Sequence, residues 1–124
     1  IFVPVNPGGN HWYLIMIDVG SKVVLSMDSM CSVYNDEDRA SAREAMLDWI
    51  EIENTPKPGG FDRDEWSHRK QLNMPQQTNG LDCGAFTCMF AAFMSNDKNM
   101  RFSQATIPRM RKRIVWSILN ARLA

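Results

Sequence analysis

Two apolar runs near the start of the chain, residues 12–17 and residues 23–27, contain no charged residue. Gly20 and Ser21 lie between them, and two such runs around a glycine-containing turn are typical of a β-hairpin. A strand that faces water on one side alternates apolar and polar residues, whereas these two runs do not alternate. We therefore predict a hairpin buried on both faces, which requires other elements to pack on each side of it.

Three later segments show the spacing of helices rather than strands. The predicted helices cover residues 38–52, 82–94 and 103–123, and Asp36 or Asp38 is expected to cap the first of them. The residues expected to face inward are Ala42, Ala45, Met46, Trp49 and Ile50 in the first helix, Cys83, Phe86, Phe90 and Phe93 in the second, and Ile107, Met110, Ile114, Val115 and Ile118 in the third. Between the first two helices, Trp66, His68 and Lys70 alternate as in a half-buried edge strand, and His68 is expected to face solvent.

The charges of the chain cancel but are not evenly distributed. There are 14 Lys and Arg and 14 Asp and Glu, so the formal net charge is zero. The middle of the chain is acidic, and the last helix carries a basic face that we expect to be solvated: Arg109, Arg111, Lys112, Arg113 and Arg122. A neutral domain without an apolar run of about 20 residues is expected to bind neither nucleic acid nor membrane.

The three cysteines indicate a reducing environment. Cys31, Cys83 and Cys88 are an odd number, so they cannot form a closed disulfide framework, and their spacing fits no zinc pattern. We expect free thiols in an intracellular protein, with Cys88 serving only to pack the second helix.

Cys83 is the candidate nucleophile. It opens the predicted second helix, where unpaired backbone N–H groups and the helix dipole favour the thiolate form. Asp82 is expected to cap that helix, and Gly84 allows another group to approach the backbone closely. Position alone leaves a buried structural cysteine equally compatible with the sequence.

His11 and Asp28 are the candidate base and its orienting acid. A turn at Gly20 and Ser21 places Tyr13 opposite Asp28 and makes His11 the diagonal, same-face neighbour of Asp28. A turn shifted by one residue would place His11 directly opposite Asp28, whereas a three-residue loop would separate them. A carboxylate beside a histidine is the arrangement that activates a nucleophile, although Asp28 could instead simply end its strand.

Gln76 and Gln77 are candidate donors to a developing oxyanion. They lie in a polar loop that ends at Cys83, and a side-chain amide can act there together with the backbone N–H of Cys83. Their positions do not distinguish between them.

These residues resemble the ubiquitin-like-protein-specific cysteine proteases, in particular the sentrin-specific type that removes SUMO. The resemblance rests on His11-Trp12, on Asp28-Ser29, on residues 75–84 (PQQTNGLDCG), and on the last helix, and it covers essentially the whole chain. It implies an α+β fold with a papain-like cysteine protease core in the permuted order His, Asp, Gln, Cys, built on a small mixed sheet flanked by helices.

The resemblance also implies a role for each matching residue. Cys83 is the nucleophile, His11 the general base, Asp28 its orienter and Gln77 the oxyanion donor. Trp12 matches a substrate-binding tryptophan that covers the C-terminal diglycine of the modifier. No cofactor and no metal are implied. The partners are a SUMO-type protein and its conjugates, and the protein is expected to be a monomer in the nucleus, with the nuclear envelope or the cytoplasm as alternatives.

The resemblance leaves two matters open. Family domains have a further N-terminal section, so residues 1–124 are expected to be a single domain that forms the C-terminal portion of the catalytic domain, with weak or no activity alone. The alternatives are the same chemistry on NEDD8 or ubiquitin, a cysteine-dependent acetyltransferase of related fold, or a binding module without catalysis.

Overall fold

The computed structural model describes residues 1–122 and contains one four-stranded mixed sheet between helices. The strands are β1 (Phe2–Val5), β2 (Tyr13–Asp18), β3 (Val23–Met27) and β4 (Ser67–Lys70), in the spatial order β1-β2-β3-β4. The helices are α1 (Asp36–Asn54), α2 (Cys83–Ser95) and α3 (Ile107–Leu119). Neighbouring strands are antiparallel except β3 and β4, which are parallel and are connected by α1. This arrangement confirms the α+β prediction.

The predicted hairpin forms with the register that a turn at Gly20 and Ser21 gives. Leu14 pairs with Met27 and Asp18 pairs with Val23, which places Tyr13 and Asp28 at the next position along the ladder. The connection is longer than a two-residue turn, because residues 19–22 are all outside the strands. The oxygens of Asp18 accept hydrogen bonds from the backbone N–H and the hydroxyl of Ser21, at 3.2 and 2.8 Å, and so close the loop.

The hairpin is buried on both faces, as its lack of alternation predicts. On one face, Leu14, Met16, Leu25 and Met27 join a cluster with Phe86 and Phe90 of α2 and Ile107 of α3. On the other face, Tyr13, Ile15, Ile17 and Val24 pack against Leu47 and Ile50 of α1. Successive strand residues point to opposite faces of the sheet, so each run contributes side chains alternately to the two hydrophobic clusters. The edge strand predicted around His68 forms as β4.

Helix α1 differs from its prediction at the cap and along the inward face. Asn35, not Asp36 or Asp38, is the N-cap, and its side-chain oxygen accepts from the backbone N–H of Glu37. The buried side chains are Arg39, Arg43, Leu47 and Ile50, whereas Trp49 is 45% exposed and Ala45 is also exposed. The inward stripe is displaced because both arginines have polar partners there: Arg39 binds the Asp28 carboxylate, and Arg43 binds the Ser26 hydroxyl of β3 and the Asp36 carboxylate of its own helix.

Helices α2 and α3 differ from prediction in their bounds and in which residues they bury. The predicted third helix is α3 preceded by a short 3₁₀ turn (Gln104–Thr106), and its expected end at Leu123 lies outside the described residues. Ile107 is fully buried, but Val115 and Ile118 are exposed because only the first turns of α3 reach the core. Cys88 is exposed rather than packed, since it lies between the buried positions of α2. In residues 1–122, no helix is both long and apolar enough to cross a membrane.

Candidate active site

His11 and Asp28 meet where the hairpin opens. His11 lies two residues before β2 and Asp28 directly follows β3, so the register of the hairpin brings the two side chains together. His11 Nε2 lies 2.7 Å from Asp28 Oδ1, and both residues are only 4% exposed. The same oxygen accepts from the backbone N–H of Met30 at 2.8 Å. Because a carboxylate only accepts hydrogen bonds, Nε2 carries the proton and Nδ1 is the nitrogen left to exchange a proton with another group.

Arg39 of α1 is a further partner of Asp28 that sequence reasoning missed. Its Nε donates to Asp28 Oδ2 at 2.8 Å, and its Nη2 makes an ion-pair contact of 2.7 Å with the same oxygen outside hydrogen-bond geometry. The guanidinium lies between the rings of Tyr13 and Tyr34, 4.6 and 4.7 Å from their centroids. Tyr34 in turn stacks on the His11 ring at 4.8 Å. The spacing of Arg39, Arg43 and Leu47 along one helix face was the available signal.

Cys83 begins α2 and is 7% exposed. Asp82 occupies the N-cap position, but its side chain makes no capping hydrogen bond, which corrects that prediction. Without a side-chain cap, the first backbone N–H groups of the helix are left available to a nearby anion.

The Asp82 carboxylate instead binds the loop and α3. It accepts from Asn79 Nδ2, Gln104 Nε2 and Arg111 Nε, each at 2.7 Å. The hydrogen bond from Asn79, followed by those from Arg111 and Gln104, lowers the pKa of Asp82. Arg111 also donates to the carbonyl of Leu81, so this residue of the expected solvated face ties α3 to the segment before Cys83.

Gln77 and Gln76 are both held by hydrogen bonds, but only Gln77 is buried. The backbone N–H of Gln77 donates to the Ser29 carbonyl at 2.8 Å, and the Ser29 hydroxyl donates to Gln77 Oε1 at 2.6 Å. Gln77 Nε2 donates to the carbonyl of Asn79, which leaves its second N–H available. Gln76 Nε2 donates to the Asp28 carbonyl at 3.2 Å, and its Oε1 accepts from the Cys31 thiol. Ser29 therefore links the end of β3, next to Asp28, to the loop before Cys83.

Trp12 lies against the first turn of α2. It is 40% exposed, and its Cδ1 lies 3.7 Å from the point where a side chain at Gly84 would begin. The ring therefore lies beside the backbone next to Cys83 and stays partly exposed.

His68 is not part of this group. It is half-buried rather than solvent-facing, because its Nδ1 accepts from Arg43 at 3.3 Å and its Nε2 pairs with Glu44 at 3.1 Å. Across residues 1–122, no three His, Cys, Asp or Glu side chains are grouped so that they could hold a metal ion.

Comparison with known proteins accounts for this arrangement. Residues 1–122 match the model of the Ulp1 protease family, C-terminal catalytic domain. The chain belongs to the Ulp1 protease family. The chain is 36% identical over 116 residues to human sentrin-specific protease 2, an alignment that covers 91% of this chain and 19% of that protein. It thus spans about a fifth of the length of the curated relatives that it matches.

Solved Ulp1 structures share the fold. A SUMO protease Ulp1 whose catalytic cysteine is oxidised to a sulfonic acid superposes with a TM-score of 0.82 at 29% identity, covering 100% of this chain and 54% of that one. The C-terminal Ulp1 protease domain in complex with Smt3, the yeast ortholog of SUMO, gives 0.79 at 28% identity, covering 97% of this chain and 52% of that one. The family and fold predicted from the PQQTNGLDCG run are therefore confirmed.

Proposed function

We propose that this chain carries the catalytic centre of a cysteine protease that cleaves after the C-terminal diglycine of a SUMO-type modifier. The observation that carries the proposal is the buried His11–Asp28 pair, 2.7 Å apart, in an Ulp1-family chain whose Cys83 opens a helix. The product is either a modifier released from a substrate lysine or a matured precursor.

In the proposed reaction, Cys83 is the nucleophile and His11 exchanges the proton. The thiol proton passes to His11 Nδ1, and the thiolate sulfur attacks the carbonyl carbon of the terminal glycine. Asp28 holds the resulting imidazolium through Nε2. His11 then gives its proton to the leaving amine as the C–N bond breaks, which leaves an acyl-enzyme thioester. A water deprotonated by His11 attacks the thioester, releases the glycine carboxylate and restores the thiol.

Gln77 is the proposed oxyanion donor, together with the backbone N–H of Cys83. Its buried amide is oriented by Ser29 and Asn79, so the free N–H needs no rearrangement when negative charge develops on the substrate carbonyl oxygen. Gln76 is less suited, because its amide group is shared among backbone carbonyls.

Trp12 is the proposed substrate-binding residue. Its exposed ring lies beside Cys83 and over Gly84, so it can form one wall of a channel for an extended peptide. A peptide that ends in glycines can approach this wall closely, since glycines have no side chain to accommodate.

The proposed partners are a SUMO-type protein and its conjugates, because an Ulp1 protease domain of the same fold has been solved with Smt3. We further propose that residues 1–124 form one domain that corresponds to the C-terminal portion of the family's catalytic domain, with weak activity alone. The solved domains are about twice as long as this chain, which supports that view. The three free cysteines are compatible with an intracellular site, for which we propose the nucleus.

Vinyl-sulfone probes made from SUMO, NEDD8 and ubiquitin test the proposal. We expect the SUMO probe to form a covalent adduct with the chain, and Cys83→Ser to abolish it. Cys31→Ser and Cys88→Ser are the matched controls, because both residues are exposed thiols outside the proposed centre. If only the NEDD8 or the ubiquitin probe forms an adduct, the proposed reaction stands and the proposed modifier is wrong. Labelling by acetyl-CoA at Cys83, with no reaction with any modifier probe, would contradict proteolysis.

A further inference from the structure

A buried arginine sits behind the His11–Asp28 pair, and the catalytic role just proposed does not use it. Arg39 is 5% exposed, and its guanidinium contacts Asp28 Oδ2 through both Nε and Nη2, at 2.8 and 2.7 Å. His11 and Arg39 thus bind opposite oxygens of one carboxylate. Asp28 is shared between a histidine, which changes its charge during the proposed reaction, and an arginine, which does not.

The guanidinium is held in place by two aromatic rings. The guanidinium carbon lies over the rings of Tyr13 and Tyr34, 4.6 and 4.7 Å from their centroids, and the negative face of an aromatic ring attracts such a cation. Burial raises the pKa of the Tyr13 hydroxyl, so this ring stays neutral beside the charged pair. Tyr34 stacks on both His11 and Arg39, which couples the orientation of the histidine to that of the arginine.

The other ionisable groups around the pair come from several elements, and Cys31, Asp36 and Lys70 line a small pocket together with Asp28 and Arg39. Tyr13 comes from β2, Tyr34 from the loop after β3, and Cys83 from α2. Arg43, one turn further along α1, is bound by the Asp36 carboxylate at 2.8 and 3.0 Å and by the Ser26 hydroxyl, and Asp38 acts on Tyr13 only through longer-range charge. Arg39 is therefore the cation that directly contacts Asp28 among the described residues.

This arrangement has an electrostatic consequence. A buried carboxylate needs compensation for the water it has lost, and a guanidinium supplies it whatever the charge of His11. The same positive charge opposes a second positive charge on the imidazole. Asp28 is therefore held in alignment, but it stabilises protonated His11 less than an unpaired carboxylate would.

We propose that Arg39 is a positioning residue that holds Asp28 in line with His11 and sets the upper pH limit of the Cys83–His11 ion pair. The proposal rests on the proposed function of Cys83 and His11. Without Arg39, His11 keeps its proton to higher pH, and the ion pair persists over a wider pH range at the cost of a less well-oriented aspartate.

The test measures the rate at which iodoacetamide alkylates Cys83 between pH 4 and pH 10, with the three cysteines resolved by peptide mass spectrometry. This reaction needs no modifier protein, so the result stands even if no SUMO probe reacts. The rate is expected to rise in two steps, first as the ion pair forms and again as His11 loses its proton. In Arg39→Met the second step should move up by about one pH unit, which corresponds to the loss of one partly screened charge interaction.

Two further variants separate charge from packing. Arg39→Lys keeps the charge and should return the second step to within a few tenths of a pH unit of its original position. Arg43→Met removes a buried arginine from the same face of α1, and it should lower stability without moving either step. If Arg39→Met does not fold, as judged by its thermal unfolding, Arg39→Gln replaces it as the neutral variant.

The proposal fails if the neutral variant leaves the second step unchanged or moves it to lower pH. It also fails if Arg43→Met moves the step as far as Arg39→Met does. An unchanged step with a lower melting temperature would make Arg39 a structural residue only.

Discussion

The two halves of the site are held in different ways. The His11–Asp28 half is enclosed: Asp28 and Arg39 are no more than 5% exposed, and the tyrosine rings cover the guanidinium. In the other half Cys83 and Gln77 are also buried, but the Asp82 network before Cys83 reaches the surface, where the Arg111 side chain is half-exposed. Water screens the charge contacts of the enclosed half poorly, so these contacts act strongly on the protonation of His11. Contacts near water are screened and contribute little free energy, so they mainly position the loop before Cys83.

The largest effect is expected from Asp28→Asn in the enclosed half. The amide can donate to His11 as well as accept, which favours the wrong tautomer and leaves Arg39 buried without its carboxylate. We expect kcat/KM toward a SUMO fusion, measured on the full catalytic domain because the chain alone is expected to be weakly active, to fall on the order of 10⁴-fold, as for aspartates of catalytic triads. A loss below about tenfold, measured on a folded variant, would show that Asp28 only ends its strand.

In the other half, Gln77→Ala is expected to lower kcat about 10²- to 10³-fold, because it removes one oxyanion donor, and to leave KM nearly unchanged. Gln76→Ala is the matched control, since Gln76 lies in the same loop and bonds to different carbonyls. An equal loss of kcat in both variants would remove the distinction between the two glutamines.

A smaller effect is expected from Ser29→Ala, because Ser29 connects the two halves of the site. The change removes the hydroxyl that orients Gln77 Oε1 and leaves the backbone bond between the two residues intact. We expect kcat to fall about tenfold, the equivalent of one hydrogen bond. A Ser29→Ala, Gln77→Ala double variant should be no slower than Gln77→Ala alone, and additive losses would contradict the assigned link.

The smallest effect is expected at Asp82, and it depends on pH. Its folded-state pKa is lowered, so its contribution to stability is present above the ordinary carboxyl range and is lost as pH falls through the folded-state value. Arg111→Gln should therefore lower the melting temperature by a few degrees at pH 7 in low salt, and by less in high salt or at pH 3. An equal difference in melting temperature at pH 7 and pH 3 would show that Arg111 acts by packing.

In the enclosed half, the sequence predicts the His11–Asp28 pair but not the contact that Arg39 makes with it. The turn residues Gly20 and Ser21 define the hairpin register, and that register alone brings His11 to Asp28. The local signal for a buried Arg39 is only its spacing with Arg43 and Leu47 along one helix face, and its partner Asp28 lies 11 residues earlier, outside the helix. Helical spacing also predicts that Ala45 and Trp49 face inward, since an apolar stripe is the expected inward face of a helix, but both residues are exposed.

The polar half was harder to anticipate for a different reason. Aspartate before a helix is normally a capping residue, and Asp82 occupies that position without making the bond. Its carboxylate is occupied by groups from Asn79, Gln104 and Arg111, two of which come from a distant part of the chain. Helical spacing predicts that Val115 and Ile118 face inward, but both are exposed because α3 extends beyond the core.

Competitive alkylation of the three cysteines tests the central claim most directly. At pH 6, with iodoacetamide limiting, we expect Cys83 to react at least tenfold faster than Cys31 and Cys88, although it is buried and they are exposed. His11→Ala should remove that advantage without changing the other two rates. If Cys83 is instead the slowest of the three, as burial alone would dictate, it is a structural cysteine and not a nucleophile.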